Sequence, residues 1–214
     1  MQRQFASMKR QFFESGDPLR KLSYFVAVSI DGFIGDRSGD GASFMPFVDE
    51  EFVEFLKAEY PETLPTHVRR AFGFEGLENK RFDTVVQGRG SYRLALDADI
   101  TSPYGHLREY VASSTLDKSP DPNVEIISGD VVGKIRELKQ EDSEFGIWLC
   151  GGARIAGELR DEVDELVIKT YPVLLGAGMP MFGGGVTSVI SEFTLEASRV
   201  FGNGVIVRTY RRKR

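Results

Sequence analysis

Short apolar segments alternate along the chain with longer stretches in which apolar residues recur at helical spacing. The short segments are rich in β-branched and aromatic residues and stop at glycine, proline, aspartate or serine, a pattern typical of strands. They predict strands at residues 22–30, 82–87, 110–113, 124–127, 147–150 and 166–171.

The helical spacing predicts five helices between those strands. Asp49 and Thr66 are N-cap residue types at the starts of the first two helices. The third helix is short and covers residues 91–96. The buried stripes of the other four are expected to contain Phe52, Phe55 and Leu56; Val68 and Phe72; Val131, Ile135 and Leu138; and Ile155 and Leu159.

The last two apolar segments, residues 193–201 and 205–210, flank Gly202-Asn203-Gly204, which is a strong hairpin signal. Strands alternating with helices, followed by this hairpin, predict an α/β fold in three layers. We expect a mixed, mainly parallel sheet with helices on both faces and a C-terminal antiparallel hairpin. We see no internal repeat and no linker, so we expect an N-terminal extension at residues 1–20 and a single domain at residues 21–214.

Composition narrows the class of protein. The 214 residues suit one well-packed domain, and the net charge of −5 argues against a general nucleic-acid binder. No apolar run approaches the roughly 20 residues of a membrane-spanning helix. The lone Cys150 fits a reducing compartment, and with only His67 and His106 beside it an ordinary zinc site is not expected. We therefore expect a cytoplasmic, metal-free protein whose partner is a small molecule, without nucleic acid or membrane.

Three strand ends carry residues suited to phosphate. In "VVQGRGSY", Gly88 and Gly90 let the backbone approach a ligand, the helix opening near Ser91 offers free N–H groups, and Arg89 adds a planar cation. Arg93 stands where a G-x-G-x-x-G fingerprint has its third glycine. An ordinary glycine-rich turn with a surface arginine explains this segment equally well.

The second strand end is "YVASST", which closes on the hydroxyls of Ser113, Ser114 and Thr115. An NAD site places a carboxylate at the corresponding position to bind the ribose 2′-hydroxyl. Hydroxyls near an arginine instead suit a 2′-phosphate, which favours NADPH. The alternative is ordinary serine and threonine turn chemistry after a strand.

The third strand end is "WLCGGARIAGEL", in which a buried strand delivers Gly151, Gly152 and Ala153 to a helix start. This arrangement binds a pyrophosphate, although the glycines could also serve close helix–sheet packing. Cys150 is expected to be a small buried hydrophobe rather than a nucleophile. Because ligands bind beyond the carboxyl ends of strands in open α/β sheets, the three loops together favour a nucleotide site.

The first strand ends in "VSIDGFIG", which places Asp31 between Ser29 and Gly32. A carboxylate at this position is either a substrate contact or a turn residue that binds its own backbone. The sequence leaves both interpretations open.

Four segments, "VSIDGFIG", "VVQGRGSY", "WLCGGARIAGEL" and "VDELVIKTYPVLLGAGMPMF", occur in an order that resembles the dihydrofolate-reductase-like superfamily. The chain is most similar to the reductase (C-terminal) domain of the riboflavin-biosynthesis deaminase/reductase and its stand-alone bacterial relatives, over about residues 21–210. The resemblance implies a homodimeric NADPH-dependent reductase. Its substrate would be a small heterocycle of the pterin or pyrimidine/ribosylamino kind, which accepts a hydride.

The resemblance also implies roles for individual residues. Those matching the cofactor loops are Gly88, Arg89, Gly90, Ser91, Ser113, Ser114, Gly151, Gly152, Ala153 and Arg154. Those matching the nicotinamide and substrate region are Ser29, Asp31, Gly32, Leu174, Leu175 and Gly176. Asp31 is the candidate catalytic residue, as proton donor to the substrate; a bound water is the alternative.

Three departures from the pattern affect the choice of substrate. No cytidine-deaminase zinc motif precedes the reductase-like region. A dihydrofolate reductase would bury one carboxylate of the helix after the first strand against the pteridine, whereas Asp49, Glu50 and Glu51 read better as helix-capping residues. The segment 36–80 is long and is expected to reshape the substrate pocket. Dihydrofolate reductase activity and a non-catalytic NADP-binding regulatory role therefore remain as alternatives.

Overall fold

The computed structural model describes residues 20–184 and 189–213. Of the predicted N-terminal extension, residues 1–20, only Arg20 lies within these ranges. At the C-terminus, the described residues end at residue 213. None of the helices in the described ranges is long and apolar enough to cross a membrane.

Eight strands form the main sheet, in the order β5-β4-β3-β6-β1-β7-β10-β9. The first six of this order are parallel neighbours, and β10 then pairs antiparallel with both β7 and β9. The strands are β1 Leu22–Ser29, β3 Phe82–Gly88, β4 Arg108–Ala112, β5 Val124–Ile127, β6 Gly146–Gly151, β7 Glu165–Tyr171, β9 Phe193–Val200 and β10 Ile206–Arg212. The predicted mixed sheet and C-terminal antiparallel hairpin are confirmed.

Five α-helices connect the strands. They are α1 Glu50–Glu59, α2 Thr66–Ala71, α3 Arg89–Leu96, α4 Val131–Lys139 and α5 Ala153–Glu158. Short 3-10 helices occupy Ala42–Phe47, Pro61–Thr63 and Arg160–Glu162. Asp49 caps α1 by accepting a hydrogen bond from the Phe52 N–H at 2.9 Å, and Asp130 caps α4 in the same way through Gly133 at 2.7 Å.

The helices bury their apolar stripes on opposite faces of the sheet. Val131, Ile135 and Leu138 of α4 pack with residues of α5 against one face, which contains Tyr24 and Leu149. On the other face, α1 packs in an aromatic cluster that contains Phe25, Phe52, Phe55, Trp148 and Tyr171. Tyr24 and Phe25 are successive residues of β1, and successive side chains of a strand point to opposite faces of the sheet. The two clusters therefore lie on opposite faces, which confirms helices on both faces.

Two local features differ from the sequence-based expectation. A second sheet pairs β2 Phe33–Gly35 with β8 Met179–Pro180, two strands too short to show an alternating pattern. In α2, the expected buried stripe is wrong: Phe72 is 54% exposed, while Arg69 is 4% exposed. Arg69 is buried because its guanidinium donates hydrogen bonds to the carbonyl oxygens of Leu77 at 2.6 Å and Phe74 at 3.4 Å.

Candidate functional site

A cleft of about 1000 Å³ opens at the carboxyl edge of the parallel strands. Since β5, β4, β3 and β6 are parallel neighbours, the loops that follow them lie side by side at this edge. The carboxyl ends of β3, β4, β5 and β6 contribute Gly88, Ser113, Ser128 and Gly151, respectively, to the cleft. This edge is where open α/β sheets bind ligands.

The loop after β3 passes directly into α3. Gly88 is the N-cap of this helix and provides no side-chain hydrogen bond to it, so the first N–H groups of α3 are not capped by a side chain. A Cβ atom at Gly88 would lie 3.4 Å from Ile155 Cγ2, so the glycine brings the β3 loop close to α5. The exposed helix start is a favourable place for a phosphate group.

Arg89 connects the loop after β3 to the loop after β4. Its Nη1 donates a hydrogen bond to Thr115 Oγ1 at 2.7 Å. Ser113 is buried, and its Oγ accepts hydrogen bonds from the N–H groups of Thr115 and Leu116. These two hydrogen bonds close a serine turn. Ser114 is exposed in the cleft beside them. The serine-turn interpretation of Ser113 is confirmed, and the turn places the Thr115 hydroxyl beside the Arg89 cation.

The loop after β6 forms the second glycine turn. Gly151 has φ +124°, a backbone conformation that side chains other than glycine rarely adopt. The Gly151-Gly152 peptide bond is cis. Helix α5 begins at Ala153, and Arg154, its second residue, is exposed and lines the cleft.

Every residue predicted to contact the cofactor lines this one cleft: Gly88, Arg89, Gly90, Ser91, Ser113, Ser114, Gly151, Gly152, Ala153 and Arg154. They come from three loops that are far apart in sequence. The segment 36–80 also reaches the cleft, through Ser38, Gly39 and Thr63.

The residues predicted to contact the substrate lie elsewhere. None of Ser29, Asp31, Gly32, Leu174, Leu175 and Gly176 lines the cleft. Asp31 instead joins the end of β1 to the loop after β7. It accepts a hydrogen bond from Ser29 Oγ at 2.6 Å, from the Gly176 N–H at 2.7 Å and from the Leu175 N–H at 3.2 Å.

These hydrogen bonds stabilise the ionised form of Asp31. The bond from Ser29 is the main cause that holds the pKa of Asp31 below its usual value, and the backbone N–H groups of Gly176 and Leu175 act in the same direction. A carboxylate held in this form is a poor proton donor near neutral pH. The geometry therefore favours a structural role for Asp31.

The variant Asp31→Asn separates the two roles. If Asp31 ties the two loops together, the variant should lose thermal stability, while binding of the expected cofactor NADPH should be kept and any turnover with it should fall by less than about tenfold. A lost general acid would lower turnover by about 10²- to 10⁴-fold with the fold intact. Thermal denaturation, nucleotide titration and the pH dependence of turnover, measured together, decide between these results.

Three aromatic residues line the cleft together with a cysteine and a lysine, and we call this group the aromatic end: Phe25, Tyr104, Trp148, Cys150 and Lys169. Tyr104 and Trp148 pack edge to face with ring centroids 4.8 Å apart, and Phe25 and Trp148 do so at 6.3 Å. Tyr104 Oη lies 3.7 Å from Cys150 Sγ. Burial raises the pKa of the Cys150 thiol to about 11, so this thiol is not an activated nucleophile.

Lys169 is the cation of the aromatic end. Its Nζ lies 4.0 Å from the centroid of the Phe25 ring. Desolvation lowers the pKa of this ammonium to about 8, with a small opposing contribution from Cys150. The only carboxylate among the residues that line the cleft is Glu158, at the end of α5, whereas Arg89, Arg93, Arg154 and Lys169 are cationic.

The sequence held a signal for Lys169 that was missed. The segment "LVIKTY" is an apolar strand with a single lysine inside it, and a lysine within a buried strand requires a reason. The aromatic end has no comparable signal, because Phe25, Tyr104 and Trp148 come from three segments and are ordinary core residues in each.

The family of the chain follows from comparison with known proteins. The family model of the RibD C-terminal domain matches residues 20–207. The chain belongs to this family. The chain is also similar to the uncharacterized protein YwjB of Bacillus subtilis, with 27% identity over 195 residues, which cover 87% of this chain and 95% of YwjB.

Solved structures agree with this assignment. A proposed riboflavin biosynthesis protein from Shewanella sp. PV-4 superimposes with a TM-score of 0.65 and 27% identity, covering 91% of this chain and 99% of that one. Two others, each 16% identical, share the fold. A Thermotoga maritima diaminohydroxyphosphoribosylaminopyrimidine deaminase/5-amino-6-(5-phosphoribosylamino)uracil reductase has a TM-score of 0.58, covering 91% of this chain and 57% of that one. Dihydrofolate reductase from Enterococcus faecalis, complexed with NADP(H), has a TM-score of 0.56, covering 91% and 97%.

The RibD C-terminal domain family and these neighbours place the chain in the dihydrofolate-reductase-like superfamily, as its sequence motifs predicted. The chain thus has a reductase-type fold, with a cleft at the sheet edge where its three glycine- and hydroxyl-rich loops meet.

Proposed function

We propose that this protein is an NADPH-dependent reductase that transfers a hydride to a small heterocycle of the pterin or pyrimidine/ribosylamino kind. The observation that carries the proposal is the convergence of three loops on one cleft, with Arg89 bound to Thr115 between two of them. Membership of the RibD C-terminal domain family supports it, as does the NADP(H) complex of the Enterococcus faecalis enzyme with the same fold.

The residues of the cleft fit the phosphates of NADPH. The glycine turns at Gly88 and Gly151 allow the backbone to approach a pyrophosphate, and the start of α3 presents N–H groups to it. Among the described residues, neither Arg89 nor Arg154 has a carboxylate partner, so both guanidinium groups are available to anions. Arg89, Ser114 and Thr115 together suit the 2′-phosphate, because they offer a cation and two hydroxyl donors.

The protein's part in the reaction is positioning. When bound, the dihydronicotinamide supplies a hydride from its C4 atom. The phosphate loops fix the nucleotide along the sheet edge, and the aromatic end gives the cleft an apolar lining that excludes water from a bound heterocycle. Reacting atoms held in this way need little further reorganisation to reach the transition state.

Turnover is tested by following the nicotinamide absorbance of NADPH in the presence of candidate substrates. The panel contains dihydrofolate, other pterins, and 5-amino-6-(5-phosphoribosylamino)uracil, the compound in the name of the Thermotoga maritima relative. We expect at least one to accelerate NADPH oxidation and NADH to support the reaction poorly. Tight NADPH binding without turnover of any pterin, pyrimidine or ribityl compound would instead identify a non-catalytic NADP-binding protein.

A further inference from the structure

The Lys169 ammonium has an unusual environment for a charged group inside a fold. Among residues 20–184 and 189–213, its Nζ has no carboxylate partner, and it lies 4.0 Å from the centroid of the Phe25 ring. Desolvation by these apolar surroundings lowers the pKa of Lys169. Lys169 is half-buried and lines the cleft, so its ammonium is available to a ligand there.

The groups around Lys169 provide no other charge near neutral pH. Ala27 of β1 and Val207 of β10 are its neighbours across the sheet, and Cys150 of β6 is the titratable group that acts on its charge. Beyond Cys150 lies Tyr104, and Tyr171 is two residues along β7; burial raises the pKa of all three groups. Lys169 is therefore the group of this set that changes charge near pH 8.

Three carboxylates that could recognise a cationic ring lie outside the lining of the cleft. Asp49 caps α1 through Phe52 at 2.9 Å, and Glu51 accepts a hydrogen bond from the Gly202 N–H at 3.1 Å. Glu109 is buried; its Oε1 accepts hydrogen bonds from Ser102 Oγ and, at 3.0 Å, from the Tyr104 N–H, and its Oε2 has no hydrogen-bond partner among the described residues. None of these three lines the cleft.

We propose that Lys169 selects the substrate by donating a hydrogen bond to a carbonyl or anionic oxygen on the edge of a flat heterocycle bound in the cleft beside Lys169 and Tyr104. The pocket would then discriminate against a protonated pterin or diaminopyrimidine, which needs a carboxylate. This inference rests on the proposed function in one respect, since it places the substrate at the aromatic end.

The test uses barbiturate, a planar pyrimidine anion, as a probe of the NADP⁺-saturated protein. Trp148 is the only tryptophan and walls the aromatic end, so quenching of its fluorescence reports binding there. We expect Lys169→Met to weaken barbiturate binding by about 10- to 100-fold, the range for a lost charge-assisted hydrogen bond. Lys169→Arg should retain most of the affinity. Lys57→Met, which changes a surface lysine paired with Glu54, is the matched control and should have no effect.

The pH dependence gives a second readout that a merely structural lysine would not produce. Barbiturate binding to the unmodified protein should weaken as the pH rises through about 8, because Lys169 loses its proton while the probe stays anionic. In Lys169→Arg the affinity should stay constant across this range, since arginine remains protonated. Protonated 2,4-diaminopyrimidine should show the opposite order and bind Lys169→Met at least as well as the unmodified protein.

Equal barbiturate affinity in the unmodified protein and Lys169→Met would overturn the inference, and so would the absence of quenching in the unmodified protein. Lys169→Met should fold, because it removes an unpaired desolvated charge and keeps the side-chain length; Lys169→Gln serves as a second variant. NADPH binding is measured separately. Its presence without Lys169-dependent binding of barbiturate rejects this inference alone, whereas its absence rejects the proposed function.

Discussion

Replacing Arg89 with alanine is expected to weaken NADPH binding by at least about tenfold and to leave NADH binding almost unchanged. The guanidinium donates a hydrogen bond to Thr115 Oγ1 at 2.7 Å and has no carboxylate partner among the described residues. It can therefore bind a phosphate group beside the β4 loop. A charge-assisted hydrogen bond to phosphate contributes about 1.5–3 kcal/mol. NADH lacks the 2′-phosphate and therefore loses little.

The measurement is a pair of dissociation constants, for NADPH and for NADH, in the unmodified protein and in Arg89→Ala. Arg70→Ala is the matched control, because Arg70 is 75% exposed, pairs with Glu75 at 2.8 Å and does not line the cleft. Equal losses for the two nucleotides would contradict the assignment of Arg89 to the 2′-phosphate and would leave it a role at the pyrophosphate.

Replacing Arg20 with alanine is expected to destabilise the fold by about 3 kcal/mol or more. Arg20 is 1% exposed, and its guanidinium forms ion pairs with Asp83 and with Glu141, the latter at 2.5 Å. It also donates to Thr84 Oγ1 at 3.0 Å and to the Phe145 carbonyl oxygen at 3.0 Å. Losing one partner of a fully buried ion pair typically costs about 3–5 kcal/mol. The expected loss is at the lower end, because Asp83 and Glu141 are partly exposed and Glu141 keeps its ion pair with Arg108.

Denaturant unfolding of Arg20→Ala gives the free energy of unfolding directly, with Arg70→Ala again as the control. The Arg70–Glu75 pair is solvated, and its loss should cost less than about 1 kcal/mol. A loss below about 1 kcal/mol for Arg20→Ala would show that the network around Arg20 contributes little to stability.

Much of the fold was predictable because its signals are local. Leu22–Ser29, Gly146–Gly151 and the other central strands are apolar runs bounded by turn residues, and α4 carries its apolar residues at helical spacing. The loops that meet at the cleft were predictable for a related reason. Parallel strands place all their carboxyl ends at one edge, so the strand-end residues are brought together once the sheet is known.

The features that were missed depend on contacts between distant residues. Asp31 binds the N–H groups of Leu175 and Gly176 across more than 140 positions. Arg69 is buried because two loop carbonyl groups lie within reach of its guanidinium, which periodicity along α2 does not reveal. Arg20 was assigned to the N-terminal extension because its partners, Asp83 and Glu141, are remote in sequence.

The central claim is that the cleft binds NADPH through its three loops. Titration with NADPH and NADH, followed by energy transfer from Trp148 to the dihydronicotinamide, tests it most directly, because the single tryptophan lines the same cleft. We predict saturable binding of one NADPH per chain, at least about tenfold tighter than NADH. Absence of saturable NADPH binding, or equal affinity for the two nucleotides, would contradict the account.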